Sequence, residues 1–277
     1  MKLIPILKKI FLHVFLISLS LIFLFPLLWM ISTSLKTPDQ IFLPYIKWIP
    51  DPIAWDNYSK IFSQVNLLTA FQNTVFLAIL NVVGILFSCS LAAYAFGVLK
   101  WRYRDILFYI TLSTMMLPEM VTLVPQFVLF QKLGWYGTFL PLIAPQFCGN
   151  AFYIFLLRQF FMTVPRDLHE AASIDGCSEF QIYRKIYLPL SVPALSVVAL
   201  FQFLFTWNDL MKPSIYLIDQ NQYTLSLALQ QFKAQHGGTE WALLMATATL
   251  VILPIIIIFF LAQKTFVQGI TMTGIKE

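Results

Sequence analysis

Polar side chains that recur at helical spacing inside apolar runs are the residues of this chain best placed to do chemistry. Asn81, Gly84 and Ser88 form one set, Gln146, Asn150 and Tyr153 a second, and Gln202, Thr206 and Asp209 a third. Each runs i, i+3 or i+4, i+7, so each lies along one helix face. Amides, a carboxylate and a phenol ring offer paired hydrogen bonds and a flat apolar platform to a hydroxyl-rich solute. The same groups also serve to join helices, at about 0.6 kcal/mol per hydrogen bond. Joining is the simpler role for Asn81 and Thr206. For Asn150 and Tyr153 both roles stand. Asp209, beside Trp207 and near Lys212, also reads as half of an interfacial charge pair.

Bond-making chemistry has no comparable constellation. The chain has no His-Glu-x-x-His, no Gly-x-Ser-x-Gly and no paired aspartates within apolar runs, so an intramembrane enzyme is disfavoured. Cys89, Cys148 and Cys177 lack metal-ligand spacing, and two of them sit in apolar runs where cysteine behaves as a small hydrophobe. His13, His169 and His236 are scattered. A Gly-x4-Gly-Lys-Ser/Thr phosphate loop is also missing, so any ATP used must be bound by another subunit.

A second feature is a polar interruption, Pro165 to Leu195, with its own internal grammar. Asp167 is expected to cap a short helix, with Glu170 three positions on closing a capping box. Leu168, Ala171, Ala172 and Ile174 give that helix an apolar side. Gly176 stands where a helix ends in a left-handed residue, and Ser178 with Gln181 restarts a second helix by capping-box logic. Leu188-Pro189 leads into the next apolar run. The pattern predicts a compact docking knob.

Those residues carry a family resemblance. Glu170-Ala171-Ala172, Gly176, Ile186 and Leu188-Pro189 match EAA-x3-G-x9-I-x-L-P, the signature of permease subunits of ATP-driven (ABC) importers. Phe155 to Phe161, Trp207-Asn208-Asp209 and Phe266 to Gly269 resemble the carbohydrate branch of that family, the maltose and multiple-sugar importers. The resemblance covers essentially the whole chain. It implies a coupling loop at 165–189, where Glu170, Ala171, Ala172, Asp175, Gly176, Ile186, Leu188 and Pro189 meet an ATPase. It also implies partners: a second homologous permease, two ATP-binding cassette subunits and an extracytoplasmic sugar-binding protein. No cofactor is expected on this chain, since ATP is used by the partners.

Composition fits. Hydrophobic residues make up 59% of the 277 and charged residues 11%, with mean hydropathy +0.77; soluble domains carry about 25% charged residues. Six apolar runs, at about 11–32, 73–97, 106–130, 139–161, 188–207 and 242–261, are long enough to span as helices. They predict an all-α polytopic membrane protein with one permease domain over 1–277. The first run is too long for a signal-peptide core and is expected to stay as a helix.

Placing the N-terminus inside puts 12 Lys and Arg in the cytoplasmic segments, including Lys2, Lys264 and Lys276, and 6 outside, including Lys36, Lys60 and Lys212. That asymmetry predicts both termini and the 165–189 loop on the cytoplasmic side of a bacterial or archaeal inner membrane. It also accounts for the net charge of +5 without nucleic acid. Outside, Thr33 to Gln72 carries prolines and the aromatics Tyr45, Trp48 and Trp55, as an external ledge or an interfacial anchor. Pro118 is expected to kink or break the third helix, so Glu119 is either a pathway acid or a residue just past the kink near the outer interface. A self-sufficient secondary transporter is the rival reading, but inverted repeats and paired buried acids are not evident. An ABC importer for a non-sugar solute is the other.

Overall fold

The computed structural model describes residues 3–233 and 239–274, with side chains for 8–233 and 239–263. All regular structure among these is helical. In chain order we label α1 (Leu3–Ser34), α2 (Asp56–Gln64), α3 (Leu67–Gly97), α4 (Arg104–Ser113), α5 (Glu119–Lys132), α6 (Ala151–Phe161), α7 (Arg166–Ile174), α8 (Glu179–Ile182), α9 (Val192–Asn208), α10 (Met211–Tyr216) and α11 (Trp241–Gly274). Four stretches, 8–34, 67–97, 140–161 and 241–263, are long and apolar enough to cross a membrane, and two bent pairs raise the number to six if each is one span. The protein is therefore a multi-pass membrane protein. Gln235, His236 and residues 275–277 lie outside the described residues, and the tail from Lys264 is described only as helical backbone through Gly274.

The chain divides into two compact units. In the first, residues 1–67 and 228–254, α1 is apolar on all sides and exposed from Lys8 to Pro26, as suits a helix in lipid. Its C-terminal end, where Thr33 and Ser34 are buried, anchors the segment that follows. Asn57 donates to the carbonyls of Ser34 and Lys36, both at 2.9 Å, and Trp48 packs edge-on against Phe25 and Trp29. Lys36 is buried, its ammonium 4.1 Å from the Trp29 ring, and burial lowers its pKa from the ordinary lysine value.

The second unit, 68–227 and 255–277, is organised around α3. Leu77, Asn81, Ile85, Cys89 and Ala93 recur at i+4 and all are buried, so one stripe of α3 faces the core for its whole length. Near one end the core gathers Tyr94, Leu157, Phe161, Ile182, Tyr183 and Tyr187.

The expected spans are broken in three places. Pro118, extended at φ −60°, ψ 136°, separates α4 and a short 3-10 turn from α5, and the two halves bend by 99°. Of the kink or break expected at this proline, the structure has the break. In the fourth run, a turn at Leu140–Ile143 and a 3-10 segment at Ala144–Cys148 end at Gly149, φ +87°, before α6 begins. The expected continuous helix over 139–161 is thus interrupted. The fifth begins as a π-helical segment, Tyr183–Tyr187, passes Leu188–Leu190 and turns 77° at Ser191 into α9. Pro189 and Pro193, each lacking an N–H, flank that bend.

Candidate functional site

The polar loop folds as two short helices around a glycine turn. α7 ends in a Schellman arrangement: Gly176, at φ +79°, donates to Ser173 at 3.1 Å, and Cys177 donates to Ala172 at 3.0 Å. A Cβ at Gly176 would meet nothing within 4 Å, so backbone conformation alone selects glycine there. The capping box at Ser178 is complete, with Gln181 N–H donating to Ser178 Oγ and Ser178 N–H to Gln181 Oε1. The box expected from Asp167 and Glu170 does not form. Pro165 takes the cap position without a side-chain acceptor, which leaves Asp167 inside the first turn and Glu170 exposed beyond it. Asp167 still favours the helix through its negative charge near the N-terminal dipole.

The apolar side of α7 also departs from expectation. Ala172 rests against the core, but Leu168 is 44% and Ile174 86% exposed, and Phe180 on α8 is 62% exposed. Ala171, Asp175 and Pro189 are exposed, whereas Ile186 and Leu188 pack on the core. One face of the loop is therefore rooted and the other left bare.

At the far end of α9, 17 residues or about 25 Å along its axis, the three polar stripes meet. Asn81 and Gln202 each donate to Thr206 Oγ1 at 3.2 Å, and Gln202 also reaches Gln146 Oε1 at 3.4 Å. Asn81, Gln202 and Thr206 are buried, and Asn81 Oδ1 has no partner among the described residues. Asn81, Gln146, Thr206 and Asp209 line a cavity of about 10 Å³, the lower bound for one water. Phe205, Asp209 and Lys212 also line a larger cavity of about 390 Å³, shared with Glu119, Met120 and Asn208.

Charge pairing in that larger cavity differs from the sequence reading. Lys212 Nζ pairs with Glu119 at 2.7 Å, while Asp209 accepts backbone N–H groups, from Lys212 at 3.2 Å and from Met211. Glu119 is the first residue past the Pro118 bend, which carries it to α10. Burial raises the Asp209 pKa from the ordinary aspartate value, against the pull of Lys212.

Asn150 and Tyr153 do not join this cluster. Asn150 Oδ1 caps α6, accepting from Phe152 N–H at 3.0 Å and Tyr153 N–H at 3.4 Å, and Tyr153 is buried in the core. They do not continue a helix with Gln146, because Gly149 breaks it. The break is held by α3: Ser88 donates to the Gln146 carbonyl, and the Cys89 sulfur accepts the Asn150 N–H at 3.2 Å. Cys89 thus does more than fill space. Tyr94 and Glu179, which meet at 2.8 Å, had no sequence signal, being 85 residues apart. Glu119 and Lys212, opposite charges near the ends of two runs, had a weak one.

Bent apolar helices meeting at a buried polar cluster, with a rooted polar loop at one end, are the architecture expected of a membrane permease. The chain belongs to the family described as binding-protein-dependent transport system inner membrane component, whose model matches residues 84–272. It is 34% identical over 273 residues to the probable ABC transporter permease protein YurM of Bacillus subtilis, covering 96% of this chain and 87% of that one. The arabinooligosaccharides transport system permease protein AraQ of Halalkalibacterium halodurans is 33% identical, with 93% of each chain covered. The trehalose/maltose transport system permease protein MalG of Thermococcus litoralis is 31% identical over 98% of both chains. In fold, the chain resembles a subunit of a bacterial ABC transporter involved in the import of the acidic polysaccharide alginate, at TM-score 0.82 and 24% identity, covering 96% of this chain and 97% of that one. The relatives are named as transport permease proteins, and this chain is a transport subunit, not an enzyme.

Proposed function

We propose that this chain is one of two homologous permease subunits of an ATP-driven sugar importer. It sits on two ATP-binding cassette subunits and receives substrate from an extracytoplasmic binding protein. The observation that carries this reading is the 165–189 loop, whose core-rooted face fixes it to the permease while Leu168, Ile174 and Phe180 stay bare for a partner. The excess of Lys and Arg on one side supports a cytoplasmic assignment of that loop and both termini, where an ATPase would be found. Glu170, Ala171, Ala172, Asp175 and Gly176 form its docking helix and turn, and Ile186, Leu188 and Pro189 its return to the membrane.

The sugar class rests on relatives named for arabinooligosaccharide and for trehalose/maltose transport, and on the polar cluster about 25 Å along α9 from the loop. Asn81 Oδ1, Gln146 and Asp209 line the small cavity at that cluster, with Gln202 bonded to Gln146 beside it, and Phe205 and Asp209 also line the larger one. ATP is bound by the partners, and this chain supplies the path. Closure of the ATPase dimer pushes the loop, and the helices exchange inward-open for outward-open states according to each state's differential affinity for its ligands.

The test is a co-purified assembly carrying Ile174→Cys with Cys177→Ser. Ile174→Cys should crosslink to the ATPase subunit, and the assembly should hydrolyse ATP and take up labelled arabinotriose or maltotriose. A missing crosslink in an assembled complex removes the docking reading; uptake of neither sugar removes the substrate class.

A further inference from the structure

Glu179 lies where three elements meet. One carboxylate oxygen, Oε2, accepts the Tyr94 hydroxyl of α3 at 2.8 Å; the other faces His169 Nε2 of α7 at 3.6 Å. The first is a short charge-assisted hydrogen bond, and the second is an ionic contact too long for a direct one. His169 Nδ1 is buried without a partner among the described residues, so a neutral imidazole keeps its proton on Nε2, facing Glu179. The Tyr187 ring lies 5.1 Å from Tyr94 and 6.2 Å from His169, filling the angle between them. Beside this junction a cavity of about 720 Å³, lined by His169, Glu170 and Glu179 together with Lys100 and Trp101, leaves α7 room to shift.

The fixed end of the junction leads along α3 to the polar cluster. Tyr94 is only 5% exposed and follows Ala93, the last named residue of the buried stripe, about 20 Å along that helix from Asn81. Asn81 in turn donates to Thr206 beside Asp209. A second bond near the base, Ser90 Oγ to Tyr183 Oη at 2.7 Å, holds α3 to the π-helical segment. Among the described helices, α3 thus meets Glu179 and Tyr183 near one end and the polar cluster further along, as α9 also connects the loop's return to that cluster.

We propose that Glu179 is the positioning residue that passes displacement of α7 to α3, through Tyr94 at the fixed end and His169 at the movable end. The proposal rests on reading the 165–189 loop as the ATPase-docking element. It goes further by naming the carboxylate through which a push on that loop reaches the solute path.

The experiment uses the whole importer with Cys148→Ser, Cys177→Ser and a cysteine at Asn208, an exposed residue lining the larger cavity. The labelling rate of that cysteine by a thiol reagent is measured without nucleotide and after trapping with Mg-ATP and vanadate, so no sugar is needed. Trapping is expected to change the rate about tenfold in the parent, and Tyr94→Phe and Glu179→Ala to cut that response to about a tenth, the scale of one charged hydrogen bond. The nucleotide-free rate should stay put, a separation that general loosening of the fold would not give. Tyr94→Phe keeps the ring packing, so it tests the hydroxyl without emptying the core. The Tyr94→Phe, Glu179→Ala pair should respond no less than Glu179→Ala alone, because both break one link. A normal response in Tyr94→Phe, or additive losses in the pair, overturns the relay while the Ile174→Cys crosslink keeps the docking reading. No response in the parent, with that crosslink also absent, overturns both.

Discussion

At the scale of single residues, several polar groups turn out to serve structure where their spacing suggested transport. Asn150 is spent on the α6 cap, so Asn150→Ala should cost about 1 kcal/mol of stability and leave sugar preference unchanged, while Asn150→Ser or Asn150→Asp should hold most of it. A thermal melt of the detergent-solubilised assembly beside uptake of two competing sugars checks both halves. Asp209 carries the opposite expectation. Its pKa is raised by burial, so whatever stability its protonated form gives is present at low pH and is lost as pH rises through that folded value. At neutral pH the charged form is therefore a burden. Asp209→Asn keeps the acceptor for the Lys212 N–H and should raise the apparent melting temperature at pH 8, the gain fading toward pH 4. Uptake should fall if the carboxylate meets substrate hydroxyls. A lower melting temperature at pH 8 would show that attraction to Lys212 outweighs burial.

At the scale of elements, the sequence was legible where one residue type decides the backbone. Pro118 ends a helix because it lacks an N–H, Gly176 turns one because φ is positive, and Ser178 starts one with its own oxygen. It was opaque where tertiary contacts decide. Gly149 lies in an apolar run that reads as helix, and the break there stands because Ser88 and Cys89, on another helix, satisfy the freed carbonyl and N–H. Asp167 had the right type for a cap, but the chain enters α7 two residues earlier, at Pro165. The junction of Tyr94 with Glu179 left no local trace at all. Close helix contact brings a further expectation. A Cβ on Gly84 would stand 2.8 Å from the Phe147 ring, so Gly84→Ala should destabilise despite the better helix propensity of alanine. Adding Phe147→Ala should recover that loss, and a double-mutant cycle on melting temperature measures it. Additive effects would mean that the ring swings away freely.

For the whole molecule, orientation is the property on which every proposed partner depends, and it rests on charge: 12 Lys and Arg assigned to one side and 6 to the other. Asp167 on α7 and Asp56 at the start of α2 are both exposed, and the charge count assigns them to opposite sides. In a background with Cys148 and Cys177 replaced by serine, leaving only buried Cys89, Asp56→Cys should react in intact cells with a thiol reagent that cannot cross membranes. Asp167→Cys should react only after the membrane is opened, and less so when the ATPase is bound over the loop. Four single spans, one of them interrupted at Gly149, and two bent pairs make this more than a formality, because a bent pair that re-enters its own side, counted singly, changes the parity of the crossings. The 99° bend at Pro118 and the 77° bend at Ser191 are the two places where that could happen. If both cysteines label from outside, one bent pair between them re-enters instead of crossing. The loop would then face away from any ATPase, and the importer reading would fail with it.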